Sequence, residues 1–441
     1  MYDLVIRNAL VAQDDGSTLA ADVGCRNGRI ETITTSISAN SRDNLDGAGL
    51  LLLPGVIDPQ VHFREPGAEH KEDLGSGSRA AVRGGVTSFL EMPNCNPPTI
   101  DQAQMDWKLA RASQTCVANF GFFVGATKDN LDALNNVHPA CGIKIFMGSS
   151  TGDLLVDDDV TLENIFSQGD RLIAVHAEDE SRIKQRTASL LTDRSQPLDC
   201  SLHSSVRDAE TACIATRRAL DLSERYGRRL HILHLSTSEE VDILRLKKPS
   251  QVSAEVVPNH LFLSSDDYKT QGGRVVMNPP LREHSNAEQL WRGLHDGVID
   301  IIATDHAPHT LEEKSSPYPG VPSGMPGVET SLPLMLTAMT NGQCTLAEVL
   351  AWMCHGPARL YGIANKGRIA EGFDADLTLV DTNSTQTLKD DDVFSRAGWS
   401  PYSGRQLTGW PLVTIVGGEI VYDHGAIRPG VFGKPLTFAP Q

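Results

Sequence analysis

The chain has 441 residues, 40% of them hydrophobic and 22% charged, with a formal net charge of −17. It is too apolar for a disordered chain and long enough for one large core or two domains. Its acidity excludes nucleic acid and anionic membrane as partners, since neither supplies the counter-charge such a surface needs, and an anionic substrate would require a local cationic pocket.

The opening residues "MYDLVIRNALV" lack a basic region leading into an apolar stretch, and the chain contains no apolar run of 18 residues, so neither an export signal nor a membrane span is expected. Eight cysteines are scattered without a CxxC pair. They read as reduced thiols of a cytoplasmic protein.

In chain order, "DLVIRNALV" and "RNGRIETI", the latter turning at Asn27-Gly28, read as short strands. Near the far end, "DADLTLVD" (Asp374 to Asp381) and "PLVTIVGGEIVYDHG" (Pro411 to Gly425) read the same way, with a hairpin at Gly417-Gly418. These terminal strands predict a small β-sandwich domain built from both chain ends, residues 1–52 and 364–441.

Between them, over 53–363, short apolar runs alternate with longer helical patterns, the mark of a parallel sheet with crossover helices. Eight runs are centred near Leu53, Phe89, Phe122, Ile145, Ala174, Leu233, Ala254 and Ile302. Eight is the number that closes a (β/α)8 barrel of the TIM type, so the fold class is α/β.

Barrel enzymes place their chemistry at the C-terminal ends of the strands. His62 follows the first run, Asn94 the second, His176 ends the fifth, His234 the sixth and Asp305 the eighth, while Lys144 lies within the fourth. Two loops rich in small and turn-forming residues, Ser149 to Asp159 and Thr310 to Gly327, follow runs four and eight and are candidate lids over the barrel mouth.

Imidazoles and a carboxylate converging on one face are what zinc or a similar cation requires. Lys144 sits in "GIKIFMG", where a charged amine is excluded unless it is paired or altered; a buried lysine has a lowered pKa and can take up carbon dioxide to become a metal-bridging carbamate. In "GVIDPQVHFREPG" Gln60 and His62 are spaced i, i+2, which on a strand puts both on one face.

The stretches "GVIDPQVHFREPG", "EMPNCNPP", "GIKIFMGSS", "VHAED", "HILHLST", "MNPPLR" and "ATDHAPH" resemble, in order, the successive motifs of the amidohydrolase superfamily, and specifically of the dihydroorotases. The segment "GPARLYGIANKGRIAEGFDADLTLVD" is similar to the family's return from barrel to β domain. The resemblance implies a barrel enzyme holding one or two Zn2+ ions that opens and closes a cyclic amide in pyrimidine biosynthesis.

It assigns His62, Lys144, His176 and His234 as metal ligands, Lys144 as the carboxylated bridge, and Asp305 as both ligand and catalytic acid-base. Gln60 stands where most of the family has the first histidine of an H-x-H pair, so one metal would be held weakly or be absent. Arg64, Asn94 and His309 match the groups that bind the substrate carboxylate, with Asn278 a further contact to the ring; Arg64 supplies a planar fork suited to that task. His231 is assigned to support or core, and His260, Arg207 and Glu210 stay without a role.

Hydantoinases and allantoinases share the metal set, so a cyclic-amide hydrolase of that kind is the alternative enzyme. A non-catalytic subunit that supports aspartate transcarbamoylase is the alternative outside enzymology, and the resemblance leaves room for that partner and for a homo-oligomer.

Overall fold

The computed structural model describes residues 1–149, 154–192 and 198–439. Strands from both chain ends form one nine-stranded sheet. Tyr2–Ala12 lies at its centre: it pairs antiparallel with Thr18–Arg26, and its two halves run parallel to Ser41–Asp46 and to Leu51–Pro54. Leu51–Pro54 then pairs with Leu377–Val380, and Pro411–Val416 and Glu419–Asp423 extend the sheet. Leu4, Ile6, Val23, Leu52, Leu377 and Ile415 form its apolar core.

The two predicted hairpins are present. Asn27 (φ 51°) and Gly28 (φ 78°) turn between Thr18–Arg26 and Arg29–Thr34, and Gly417 (φ 55°) and Gly418 (φ 79°) turn between Pro411–Val416 and Glu419–Asp423. Positive φ at both central positions matches the right-handed twist of the strands they join.

One sequence reading is corrected. The apolar run around Leu53 is two strands in two different sheets: Leu51–Pro54 belongs to the terminal sheet, and the first parallel strand is Val56–Val61. The chain changes sheet at Gly55, where a Cβ would lie 2.1 Å from the Thr87 hydroxyl oxygen. Only glycine allows that approach, and the boundary expected after residue 52 therefore falls at Gly55.

The middle of the chain alternates parallel strands with helices. Val56–Val61, Val86–Glu91 and Asn119–Phe122 make a three-stranded sheet; Val124–Gly125, Ile143–Phe146, Ile173–His176, Leu230–Ile232, Val252–Val256 and Ile301–Ile302 make a six-stranded one. The two meet where Asn119–Phe122 runs through Phe123 into Val124–Gly125. At the opposite margins a parallel bridge joins Val61 to His306, and the His62 N–H donates to the His306 carbonyl at 2.7 Å.

Side-chain caps start several of the crossover helices. Asp73 caps Leu74–Arg83, Asp208 caps Ala209–Tyr226, and Thr237 with Glu240 forms a reciprocal box on Ser238–Leu246, which follows soon after the strand that leads to His234. Each cap satisfies amide donors that a helix start leaves free.

Of the candidate lids, residues 150–153 lie outside the described residues, and beyond them the Val156 N–H bonds back to the Phe146 carbonyl at 2.9 Å. The second loop is tied down. Thr310 caps Leu311–Lys314, and the buried Lys314 ammonium donates to the carbonyls of Val276, Pro322 and Gly324 at 2.8, 2.8 and 3.0 Å.

Candidate active site

Strand Val56–Val61 sets the first two polar groups by its alternation. The Gln60 Nε2 group donates to Asp305 Oδ1 at 3.1 Å, and His62 Nε2 lies 3.1 Å from the same oxygen. Behind them Asp58 ties this strand to the last one: its Oδ1 accepts from the Gln60 and Thr304 N–H groups at 3.2 and 3.1 Å, and its Oδ2 from the Thr304 hydroxyl at 2.5 Å. Gln60, His62 and Asp305 are thus held together by a carboxylate that touches none of their side chains.

The His62 ring has a defined proton. Its Nδ1 donates to Asn94 Oδ1 at 2.6 Å, and burial lowers its pKa against the pull of Asp305, so the ring is neutral and Nε2 carries a lone pair. That lone pair faces a carboxylate oxygen, an arrangement of two acceptors that calls for a cation between them.

The second pair is built the same way. His176 Nε2 donates to Glu178 Oε2 at 2.8 Å, which leaves a lone pair on Nδ1, 3.0 Å from His234 Nε2. Burial lowers the pKa of both rings. Burial alone would raise the Glu178 carboxyl, but Arg207, His176 and Arg282 outweigh it and hold it down at about 2. A carboxylate behind a ring nitrogen fixes the tautomer and raises the basicity of the other nitrogen.

Lys144 lies between the pairs. It is buried, its ammonium sits 4.5 Å from the Phe146 ring centre, and it has no ion-pair partner among the described residues. Burial lowers its pKa to about 7, against weaker opposing contributions from Asp305 and Glu255. A large share of the amine is therefore uncharged at neutral pH, the form that reacts with carbon dioxide.

Arg64 occupies a third sector. The guanidinium is 6% exposed, donates through Nε to the Pro308 carbonyl at 3.0 Å, and has no carboxylate partner among the described residues. Burial lowers its pKa to about 10, so it stays charged at neutrality. Beside it, His309 Nε2 lies 3.2 Å from an Arg64 terminal nitrogen and 3.0 Å from the Ser323 carbonyl. The Lys71 ammonium donates to His309 Nδ1 at 3.1 Å, which places the ring proton on Nε2.

The backbone is strained at the same places. Arg64 (φ 66°), His234 (φ 39°) and Asp305 (φ 48°) sit in the left-handed region, which L residues other than Asn and Asp rarely enter. Each such residue costs about 1–3 kcal/mol, and such costs cluster where the surroundings force a side chain into a working position.

The structure therefore joins Gln60 and His62 to Asp305 and His176 to His234, places Lys144 close enough to act on both pairs, and sets Arg64 and His309 together; among the described residues no three His, Cys, Asp or Glu side chains converge as a cation site. Asn94 is behind His62. Asn278 accepts from His203 Nε2 at 2.9 Å, and the neighbouring Pro279 carbonyl accepts from His260 Nε2 at 3.2 Å. His231 is core: it bonds Ser253 and Glu255 at 2.8 and 2.9 Å. Arg207 pairs with Glu178 and donates to the Ser149 carbonyl at 2.5 Å, whereas Glu210 only meets Arg217 at 3.3 Å, where both are half-exposed or more.

Sequence reasoning missed Asp58, Lys71, Glu178, and the pair Glu72 and His306. His306 receives the Gly327 and Val328 N–H groups on Nδ1 at 3.0 and 3.2 Å, with Glu72 3.6 Å from its other nitrogen, and so fixes the chain beside Asp305. Glu178 carried a signal, since it stands two residues after His176 on the same alternation.

This is the fold of a metal-dependent hydrolase family. The chain matches the amidohydrolase family over residues 51–421 and belongs to it. A dihydroorotase of Halobacterium salinarum is 38% identical over 427 residues, covering 96% of this chain and 97% of the relative. A dihydroorotase of Methanosarcina mazei is 36% identical over 450 residues, covering 98% and 97%. Among solved structures, an L-hydantoinase (dihydropyrimidinase) from Arthrobacter aurescens superposes with a TM-score of 0.94 at 29% identity, covering 99% of this chain and 100% of that one.

Proposed function

We propose that the protein is a cytoplasmic dihydroorotase, which interconverts L-dihydroorotate and N-carbamoyl-L-aspartate in pyrimidine biosynthesis. The observation that carries the choice of substrate is Arg64, a buried cation without an anionic partner among the described residues. A buried unpaired guanidinium is unfavourable until an anion meets it. Dihydroorotate brings a carboxylate there; the ring of a hydantoin does not.

The reading takes the parallel strands, from Val56–Val61 to residue 363, as a (β/α)8 barrel that would close at the Val61–His306 bridge. The terminal segments, residues 1–54 and 364–441, would form the β domain. The residues present fit a metal: a ring nitrogen facing the Asp305 carboxylate, two ring nitrogens facing each other, an unpaired buried lysine, and buried His234 Nδ1 and Gln60 Oε1 atoms without hydrogen-bond partners among the described residues. Lys144 as a carbamate, His176 and His234 would hold one Zn2+; His62, Asp305 and Lys144, with or without Gln60, would hold a second ion. A bound ion would polarise the scissile carbonyl and acidify water.

Arg64, with His309 and Asn94, would hold the substrate carboxylate, and Asn278 the ring, so that the scissile carbonyl faces Asp305. In hydrolysis Asp305 takes a proton from the attacking water and delivers it to the departing ring nitrogen as the carbon–nitrogen bond breaks; ring closure reverses both transfers. Glu178 keeps His176 in one tautomer, and Asp58 keeps the first and last strands in register.

The test is ring opening of L-dihydroorotate by purified protein whose zinc content per chain is known from elemental analysis. Turnover confirms the reading. A zinc-loaded protein that hydrolyses a hydantoin and leaves dihydroorotate intact defeats it, and a metal-free, inactive protein that co-purifies with aspartate transcarbamoylase makes it a supporting subunit.

A further inference from the structure

We propose that Gln60 weakens zinc binding in the pocket beside His62 and Asp305, so that zinc fills the pocket of His176 and His234 and a hard divalent cation such as Mn2+ takes the second. The inference rests on the metal-dependent reading above and concerns which ion each half of the site takes.

Asp305 sets the Gln60 amide. Its carboxylate only accepts, so the amide N–H points to it at 3.1 Å, and the amide oxygen is left buried without a hydrogen-bond partner among the described residues. Gln60 is 1% exposed, so bulk water does not serve that oxygen. The acceptors gathered at this point are one imidazole nitrogen, from His62, and the oxygens of Asp305 and Gln60, to which a Lys144 carbamate would add another. The other pocket offers two imidazole nitrogens, His176 Nδ1 and His234 Nε2, 3.0 Å apart.

Nitrogen-rich sets suit zinc, and oxygen-rich sets suit Mg2+ and Mn2+. With histidine at position 60 the two pockets would carry the same number of imidazoles; with glutamine they do not. Every site on the ordinary scale binds zinc more tightly than Mn2+, so the prediction concerns the separation between pockets: zinc should bind the second at least ~10-fold more weakly than the first, the low end of what a lost supporting group does to a metal site.

The experiment uses the full chain, stripped with a chelator, reloaded with two equivalents of zinc in bicarbonate, freed of loosely held zinc by desalting, and titrated with Mn2+ while the resonance of free aqueous Mn2+ is followed. Expected are one retained zinc and one bound Mn2+ per chain. Gln60→His should retain two zinc ions and bind Mn2+ at least ~10-fold more weakly. Gln60→Leu should keep the zinc and lose the Mn2+. Should the leucine variant fail to fold, Gln60→Glu decides, since it keeps the oxygen and must bind Mn2+ no less tightly. Two tightly held zinc ions in the wild type, or Mn2+ binding that is absent or unaltered by Gln60→Leu, overturns the proposal. Dihydroorotate turnover, measured separately, reports on the substrate assignment alone.

Discussion

Asp58 gives the sharpest test of how the site is held. Burial pushes its carboxyl from 3.8 up to about 7, although the Thr304 hydroxyl and two backbone N–H groups favour the charged form. Between those two pH values the folded chain keeps a proton that the unfolded chain has lost. The group's contribution is therefore complete below pH 3.8, declines as pH rises, and is lost above about pH 7. From pH 5 to pH 8 the decline spans about two pH units, or about 3 kcal/mol. In Asp58→Asn the amide oxygen can still accept from Gln60 and Thr304, and the side chain does not titrate. Urea unfolding of both proteins at pH 5 and pH 8 isolates the difference. The variant should gain about 3 kcal/mol relative to wild type over that interval. A relative change below ~1 kcal/mol would show that Asp58 stays ionised in the fold and that its burial is relieved by some other means.

Two further outcomes concern the site directly. Arg64→Met should raise KM for dihydroorotate ~10–100-fold, the equivalent of one charge-assisted contact, while Asp305→Asn should lower kcat with KM nearly unchanged; steady-state kinetics showing the two effects exchanged would reverse the assigned roles. Glu178→Gln should weaken zinc binding ~10–100-fold, because the carboxylate behind His176 is lost, and competition against a chromophoric chelator that finds equal affinity would remove Glu178 from the metal's support.

Much of the site was legible because its residues break local rules. A lysine inside "GIKIFMG", histidines ending apolar runs and an arginine just past the first strand are each out of place in a core, and the structure buries all of them. The supporting groups obey their local rules, so nothing marked them. Asp58 looks like any polar residue entering a strand, and its partner Thr304 is 246 residues away. Lys71 sits in a polar loop and meets His309 only after the chain has closed on itself. Glu72 and His306 are separated by the whole alternating middle of the chain.

The fold failed to be legible at one point for a similar reason. Apolar continuity from Leu51 to Ile57 shows that the backbone stays buried but not which sheet buries it. The change of sheet is decided by Gly55, whose missing Cβ makes room for Thr87, a contact that no local pattern reveals.

Charge supplies a last prediction. The protein carries −17 overall, yet Arg64 stands with His309 near Lys71 and Lys314, with Asp305 the acid that acts on it most and Glu313 paired with Lys71 at their edge. An anionic substrate is repelled at long range and attracted only within the pocket. Salt screens the first interaction far more than the second, because exposed charges lose their reach beyond about 8 Å at physiological ionic strength while buried ones do not. Raising ionic strength from about 0.01 to about 0.15 M should therefore increase kcat/KM for dihydroorotate and leave kcat unchanged, the reverse of an enzyme whose surface steers its substrate inward. A kcat/KM that falls with salt would mean that the cationic pocket projects its field into solvent, and that Arg64 acts in capture as well as in orientation.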